Sequence, residues 1–252
     1  MYWLIKKMKR IARRIIAFFS LPMFRRHPIE SWPAWVANIH EISVPSNVPP
    51  KKARSPSGAA NINILLELVD RVSGIEGDIA ECGIYKGGSL IPLAMYLKEK
   101  KSKKRVFGLD SFEGFDVSID VDIKLGGAPD DDKHHGGFGE ITYDEVAERF
   151  VKFHLDDTVQ LIKGYFEDSL GMLSNNRFSF VHLDCDIYSS YKTCLEFFYP
   201  RMNKGGIILL DEYIDPAWPG CTKATDEFLK TRAIKLQLIE RNNYQKYFFV
   251  KD

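Results

Sequence analysis

The run GDIAECGIYKGGSLIPLAMYL, residues 77–97, constrains this chain more than any other stretch. A short apolar segment ends in an acid, three glycines follow, and an apolar stretch of helical spacing comes next. That is the pattern of a buried strand turning into a helix, with glycines permitting a turn and a close approach that a Cβ would block. In open parallel sheets, ligands sit at the carboxyl ends of the strands. The turn at residues 83–89 is therefore where a small molecule is expected.

The rest of the chain repeats the alternation. Strands are expected at residues 77–82, 104–112, 158–168 (a strand running into a loop), 178–186 and 206–213. Helices are expected at 59–72, from Gly88–Ser89 onward, at 142–155, at 188–202 and at about 221–230. Strands alternating with helices imply a mostly parallel α/β sheet with right-handed crossovers. The segments IKLQLIE and YQKYFFV read as a closing pair of antiparallel strands. The length, 252 residues, suits one large domain. Residues 113–140 show no period and are rich in glycine and aspartate, as lids and binding loops are.

Charge is distributed unevenly. Residues 1–28 carry eight Lys/Arg and no acid, whereas the remainder carries 27 basic residues against 34 acidic ones. An acidic body argues against nucleic acid as a partner. In the arm, Leu4, Ile5, Met8, Ile11, Ile15, Ile16 and Phe19 share one helix face and the basic residues the other. Its apolar run is too short to span a bilayer. An interfacial helix on an anionic membrane surface is expected, with contact to a second copy in a homo-oligomer as the alternative. The expected organisation is a basic amphipathic arm (1–28), a Pro/Ser/Gly-rich connection (29–58) and a catalytic domain (59–252). Four cysteines without a C-x-x-C pair, and no evident secretory signal, read as free thiols in the cytoplasm, at the inner face of the membrane if the arm binds there.

The glycine spacing is E-x-G-x-x-x-G-G, not the G-x-G-x-x-G of a dinucleotide pyrophosphate turn. Glu81 suits a ligand with a positive amino group. Asp110, at the end of the second strand, suits the hydroxyls of a ribose. Together they point to S-adenosylmethionine. Two further acid sets end later strands, Asp184 with Asp186 and Asp211 with Glu212. Neighbouring strand ends lie about 5 Å apart, and like charges so close repel and raise one another's pKa. A divalent cation relieves that conflict, and an all-oxygen set favours Mg²⁺, or Mn²⁺ by similar chemistry. Asp186 has the alternative reading of a cap for the helix that follows.

With these motifs placed, GDIAECGIYKGGS, VFGLDSFEGF, YDEVAERF, VQLIKGYFEDSL, LDCDIYSSYKTCLEFFYPRMNKGG and LLDEY resemble, in order and spacing, the macrocin O-methyltransferase family. The resemblance implies a Rossmann-like class I methyltransferase fold and metal-dependent methylation of a sugar hydroxyl. It implies that Glu81, Gly83, Gly87, Gly88 and Ser89 line the methionine end of the methyl donor. It places Asp110 and Ser111 at the ribose, Phe166, Glu167 and Asp168 near the adenine, and Asp184, Asp211 and Glu212 on the metal. Two positions depart from the family pattern: Cys185 stands where glycine is usual, and Glu212 where aspartate is usual. Asp184 or Asp186 is the expected general base, with His134 and His135 as alternatives, and His182 reads as a core histidine. A metal-dependent hydroxylase or hydrolase on the same fold, and a membrane-associated binding module without activity, are the competing readings.

Overall fold

The computed structural model describes residues 56–115, 120–126, 138–241 and 244–252. The basic arm, nearly all of the 29–58 connection, His134 and His135 lie outside them. Among the described residues no helix is long and apolar enough to cross a membrane.

Seven strands form one sheet in the order β3-β2-β1-β4-β5-β7-β6. They are β1 (Asp78–Cys82), β2 (Val106–Asp110), β3 (Val159–Lys163), β4 (Phe178–Leu183), β5 (Met202–Leu210), β6 (Leu236–Arg241) and β7 (Tyr244–Val250). The first five are parallel, and β7 runs antiparallel to both β5 and β6. This is the expected mostly parallel sheet with its closing antiparallel pair. Strands β1 and β4 are buried along their whole length, as central parallel strands covered on both faces must be.

The helices are α1 (Pro56–Arg71), α2 (Leu90–Glu99), α3 (Asp120–Lys124), α4 (Tyr143–Lys152), α5 (Phe166–Ser169), α6 (Tyr188–Phe198) and α7 (Pro219–Lys230). One sheet face presents Ala80, Cys82, Val181, Leu183, Ile208 and Leu210. They share a continuous core with Tyr191, Cys194 and Phe198 of α6 and with Cys221, Ala224 and Phe228 of α7. All four cysteines are free and buried. Helix α4 opens on the capping box expected at Thr142: its hydroxyl accepts the Glu145 N–H, and Glu145 reaches back to the Thr142 N–H.

Three local expectations change. Helix α6 stops at Phe198, and a 3₁₀ turn, Tyr199–Arg201, carries the chain over Pro200, which has no N–H to continue the ladder. Strand β5 then begins at Met202, ahead of the glycines. The region 113–140, read as without regular structure, contains α3. Asp122 of that helix is buried, and its Oδ2 accepts the Tyr188 N–H at 3.1 Å. Asp122 thereby fills the capping role considered for Asp186, and the N-cap position itself is Ile187.

Candidate active site

Side chains alternate across a strand, and that parity decides what meets at the carboxyl rim. Glu81 of β1 is in register with His182 of β4, and His182 with Leu209 of β5. Two residues further along their strands, Asp184 and Asp211 emerge on the same side. The result is a row of alternating charge across four adjacent strands. Ser89 Oγ donates to Glu81 Oε1 at 2.6 Å. Glu81 Oε2 lies 3.3 Å from His182 Nδ1, and His182 Nε2 lies 3.2 Å from Asp211 Oδ1. Lys246 Nζ, from β7, is 2.5 Å from that same Asp211 oxygen. Asn61 of α1 adds a weak 3.5 Å contact to it.

The glycine turn closes on this row. Gly83 has φ +86°, and a Cβ there would fall 1.7 Å from the Asp184 carbonyl oxygen, because the ends of β1 and β4 are hydrogen-bonded through Cys82 and Asp184. Gly87, at φ +79°, completes the turn. Gly88 needs neither: a Cβ there would meet nothing within 4 Å. The space above it is open, as a turn that carries a ligand requires. Asp110 aims both carboxylate oxygens at the turn and its own loop, Oδ2 accepting the Tyr85 N–H and Oδ1 the Phe112 N–H, each at 2.8 Å. Burial pushes its pKa up, against those hydrogen bonds. Ser111 donates to the Gly114 carbonyl at 2.8 Å, within its own loop.

Phe166, Glu167 and Asp168 form the short α5 just past β3, at the same rim. Phe166 packs into the core, and Glu167 accepts a 2.8 Å hydrogen bond from Thr193 of α6. Asp168 is exposed.

Asp184, Asp211 and Glu212 each offer an oxygen, and these lie within 4.8 Å of one another. Glu81, His182 and Asp184 form a second such group. Glu212 is buried, with Oε2 held by the Tyr191 hydroxyl at 2.5 Å. The same hydroxyl accepts the Asp211 and Glu212 N–H groups, which fixes the turn after β5. Asp186 belongs to neither group. It sits half-buried beside the cluster at φ +59°.

The charges explain the protonation behaviour. Burial disfavours a charged imidazole at His182, but Asp211 and Glu81 more than offset it and raise its pKa to about 10. Burial likewise works against the Asp211 carboxylate, yet Lys246 and His182 hold its pKa well below the usual range. Asp184 goes the other way, to about 7, through burial and then the Asp211 charge. Glu212 is raised well above its ordinary value by burial and then by Asp184. Acids thus outnumber the two internal cations, and burial with mutual repulsion pushes Asp184 and Glu212 toward their protonated forms. One divalent cation would balance that surplus, and the oxygen donors suit a hard ion. The residues present therefore fit a metal.

Sequence reasoning missed His182, Lys246, Asn61 and Tyr191. His182 is a buried histidine as expected, but it is ion-paired on both sides within the site. Its parity, two residues before Asp184, was the available signal.

A glycine turn on β1, acids at the ends of β2, β4 and β5, and this sheet order are those of a Rossmann-like class I methyltransferase fold. Comparison with known proteins agrees, and it takes the assignment one level further. The chain belongs to the macrocin O-methyltransferase (TylF) family, which matches residues 29–249. It is similar to the 8-demethyl-8-(2,3-dimethoxy-alpha-L-rhamnosyl)-tetracenomycin-C 4'-O-methyltransferase of Streptomyces olivaceus, 29% identical over 71% of this chain and 69% of that protein. It is similar to the mycinamicin III 3''-O-methyltransferase of Micromonospora griseorubida, 27% identical over 79% of each chain. Among solved structures, the O-methyltransferase NovP superposes with a TM-score of 0.66 at 25% identity, over 76% of this chain and 80% of its own.

Proposed function

We propose that this O-methyltransferase transfers the methyl group of S-adenosylmethionine to a sugar hydroxyl, with a divalent cation, Mg²⁺ by preference, held by Asp184, Asp211 and Glu212. The observation that carries the reading is the meeting of two sets of groups at one rim. Ser89 on the buried Glu81 and Asp110 on the Tyr85 N–H hold the glycine turn, whose Gly88 faces open space, and the three-acid cluster ends the neighbouring strands. The sugar acceptor is supported by the relatives, which are named as methyltransferases of a rhamnosyl-tetracenomycin and of mycinamicin III.

The donor supplies an electrophilic methyl on a sulfonium, and the ion supplies Lewis acidity that makes a hydroxyl a better nucleophile. The chain does the rest. Asp110 fixes the Tyr85 end of the glycine turn and presents its remaining lone pairs to ribose hydroxyls. Ser89, backed by the buried Glu81, faces the donor's amino-acid end, and Asp168 stands at the adenine end. Asp184 and Asp186 are the carboxylates placed to take the hydroxyl proton. With Asp184 engaged on the ion, Asp186 would be the carboxylate that takes the proton. Residues 1–28 would hold the enzyme on an anionic leaflet.

The test is transfer of labelled methyl from S-adenosylmethionine to a panel of nucleotide-linked sugars, glycosylated metabolites and lipid-linked sugars, with Mg²⁺ or with EDTA. Label on a sugar hydroxyl, lost with EDTA and with Asp110→Ala, supports the reading. Methyl transfer that survives Asp110→Ala unchanged would remove Asp110 from the donor site.

A further inference from the structure

We propose that His182 is a positioning residue that ties the acid beneath the glycine turn to the carboxylates of the ion cluster, so that methyl donor and divalent ion each strengthen the other's binding. The inference rests on the function proposed above.

The argument is geometric. His182 is 1% exposed and has no route to a substrate. Its two ring nitrogens contact two acids that belong to different half-sites. Nδ1 faces Glu81, whose other oxygen takes the Ser89 hydroxyl at the start of α2. Nε2 faces Asp211, one of the three clustered acids. Glu81 is itself wholly buried, so it acts on the donor pocket through what it holds, and it holds Ser89 and His182. The imidazole thus bridges the donor turn and the ion cluster, hydrogen-bonded to Asp211 and in ion-pair contact with Glu81.

The sign follows from what each ligand must order. Without an ion, Asp184 and Asp211 repel each other, and His182, Lys246 and Asn61 all converge on Asp211 Oδ1. An ion shared by the carboxylates removes that repulsion and fixes Asp211. Fixing Asp211 fixes His182, then Glu81, then Ser89, so the donor meets a turn already in place and loses less entropy on binding. Linkage makes the effect reciprocal.

Calorimetric titration with S-adenosylhomocysteine, with and without saturating Mg²⁺, measures the coupling. Mn²⁺ binding followed by electron paramagnetic resonance, with and without S-adenosylhomocysteine, measures its reciprocal. In the wild-type protein each ligand should tighten the other by about five- to tenfold, by the same factor both ways. In His182→Gln both ligands should still bind, with that factor reduced to within about twofold of unity. A merely structural histidine would weaken both affinities and leave the ratio unchanged, and that result would overturn the proposal. Independent binding in the wild-type protein would overturn it as well. Absence of any binding by the wild-type protein would instead remove the function on which it rests. If His182→Gln does not fold, Glu81→Gln cuts the same link at its other end. The His182 ring resonances in ¹⁵N-histidine-labelled wild-type protein give a readout without substitution: they should move when either ligand is added alone, and a response to only one ligand would overturn the proposal.

Discussion

The ammonium of Lys246 sits 2.5 Å from Asp211 Oδ1 and donates a further 2.7 Å hydrogen bond to the Asp211 carbonyl. The side chain is 3% exposed. A buried cation in this position keeps one member of the acid cluster ionised while its neighbours Asp184 and Glu212 favour the proton. The site is thus asymmetric before any ligand arrives, and its titration is governed by Asp184 in the neutral range.

Binding of a divalent ion should therefore depend on pH through Asp184. Its folded pKa, about 7, lies above the ordinary value of 3.8. Below pH 7 an incoming ion must displace the proton, and above pH 7 the carboxylate is already free. Mn²⁺ affinity should rise from about pH 5.5 through about 7.5, and go on rising above that because Glu212 must also give up its proton. Calorimetry in buffers of different ionisation heat should show proton release that falls over the same window. Affinity independent of pH across this range would count against Asp184 as a ligand.

The ion-free fold should lose stability with alkali. His182 carries a folded pKa of about 10 against 6.5 for a free imidazole. A raised pKa contributes stability that is complete below pH 6.5 and disappears as pH climbs toward 10. Thermal melts in EDTA should fall steadily between pH 7 and 10, and His182→Gln should flatten that slope.

Two neighbouring glycines should behave oppositely. Gly83→Ala drives a Cβ into the Asp184 carbonyl at a left-handed φ, so a loss of more than about 4 kcal/mol, or failure to fold, is expected. Gly88→Ala meets open space and should leave the melting temperature nearly unchanged while reducing affinity for S-adenosylhomocysteine. Equal effects in the two melts would remove the distinction between a turn glycine and a ligand-facing one.

Asp110→Ala should weaken S-adenosylhomocysteine by about ten- to a hundredfold, the range for losing hydrogen bonds to a charged group. Asp110→Asn, which keeps an acceptor for the Tyr85 N–H, should fall between. Thr142→Ala provides the contrast: it removes the α4 cap, costs about 1 kcal/mol of stability, and should leave methyl transfer intact.

The sheet and the acids were legible because each sits where an apolar strand ends. Asp110, Asp184 and Asp211 follow runs that can only be buried, and a carboxylate there needs a purpose. His182 was harder. A lone histidine in FSFVHL has a bland explanation until its register with Glu81 is known, and register is a tertiary property. Lys246 was hidden for a similar reason: it is 35 residues from Asp211, on a strand whose antiparallel pairing places the two opposite. Ser111 shows the reverse error, since a serine beside a strand end readily satisfies itself within its own loop, here on Gly114. Helix α3 has five residues, too few for a period to be read.

The antiparallel return of β7 gives the site an order of manufacture. A nascent chain that has left the ribosome as far as Tyr213 already contains all four acids, yet lacks the ammonium that offsets Asp211. Until β7 inserts between β5 and β6, the acids at the carboxyl rim have only His182 to oppose them. The electrostatic balance of the site thus waits on β7, and a chain stalled before that strand would leave the apolar edge of β5 open and Asp211 without its ammonium.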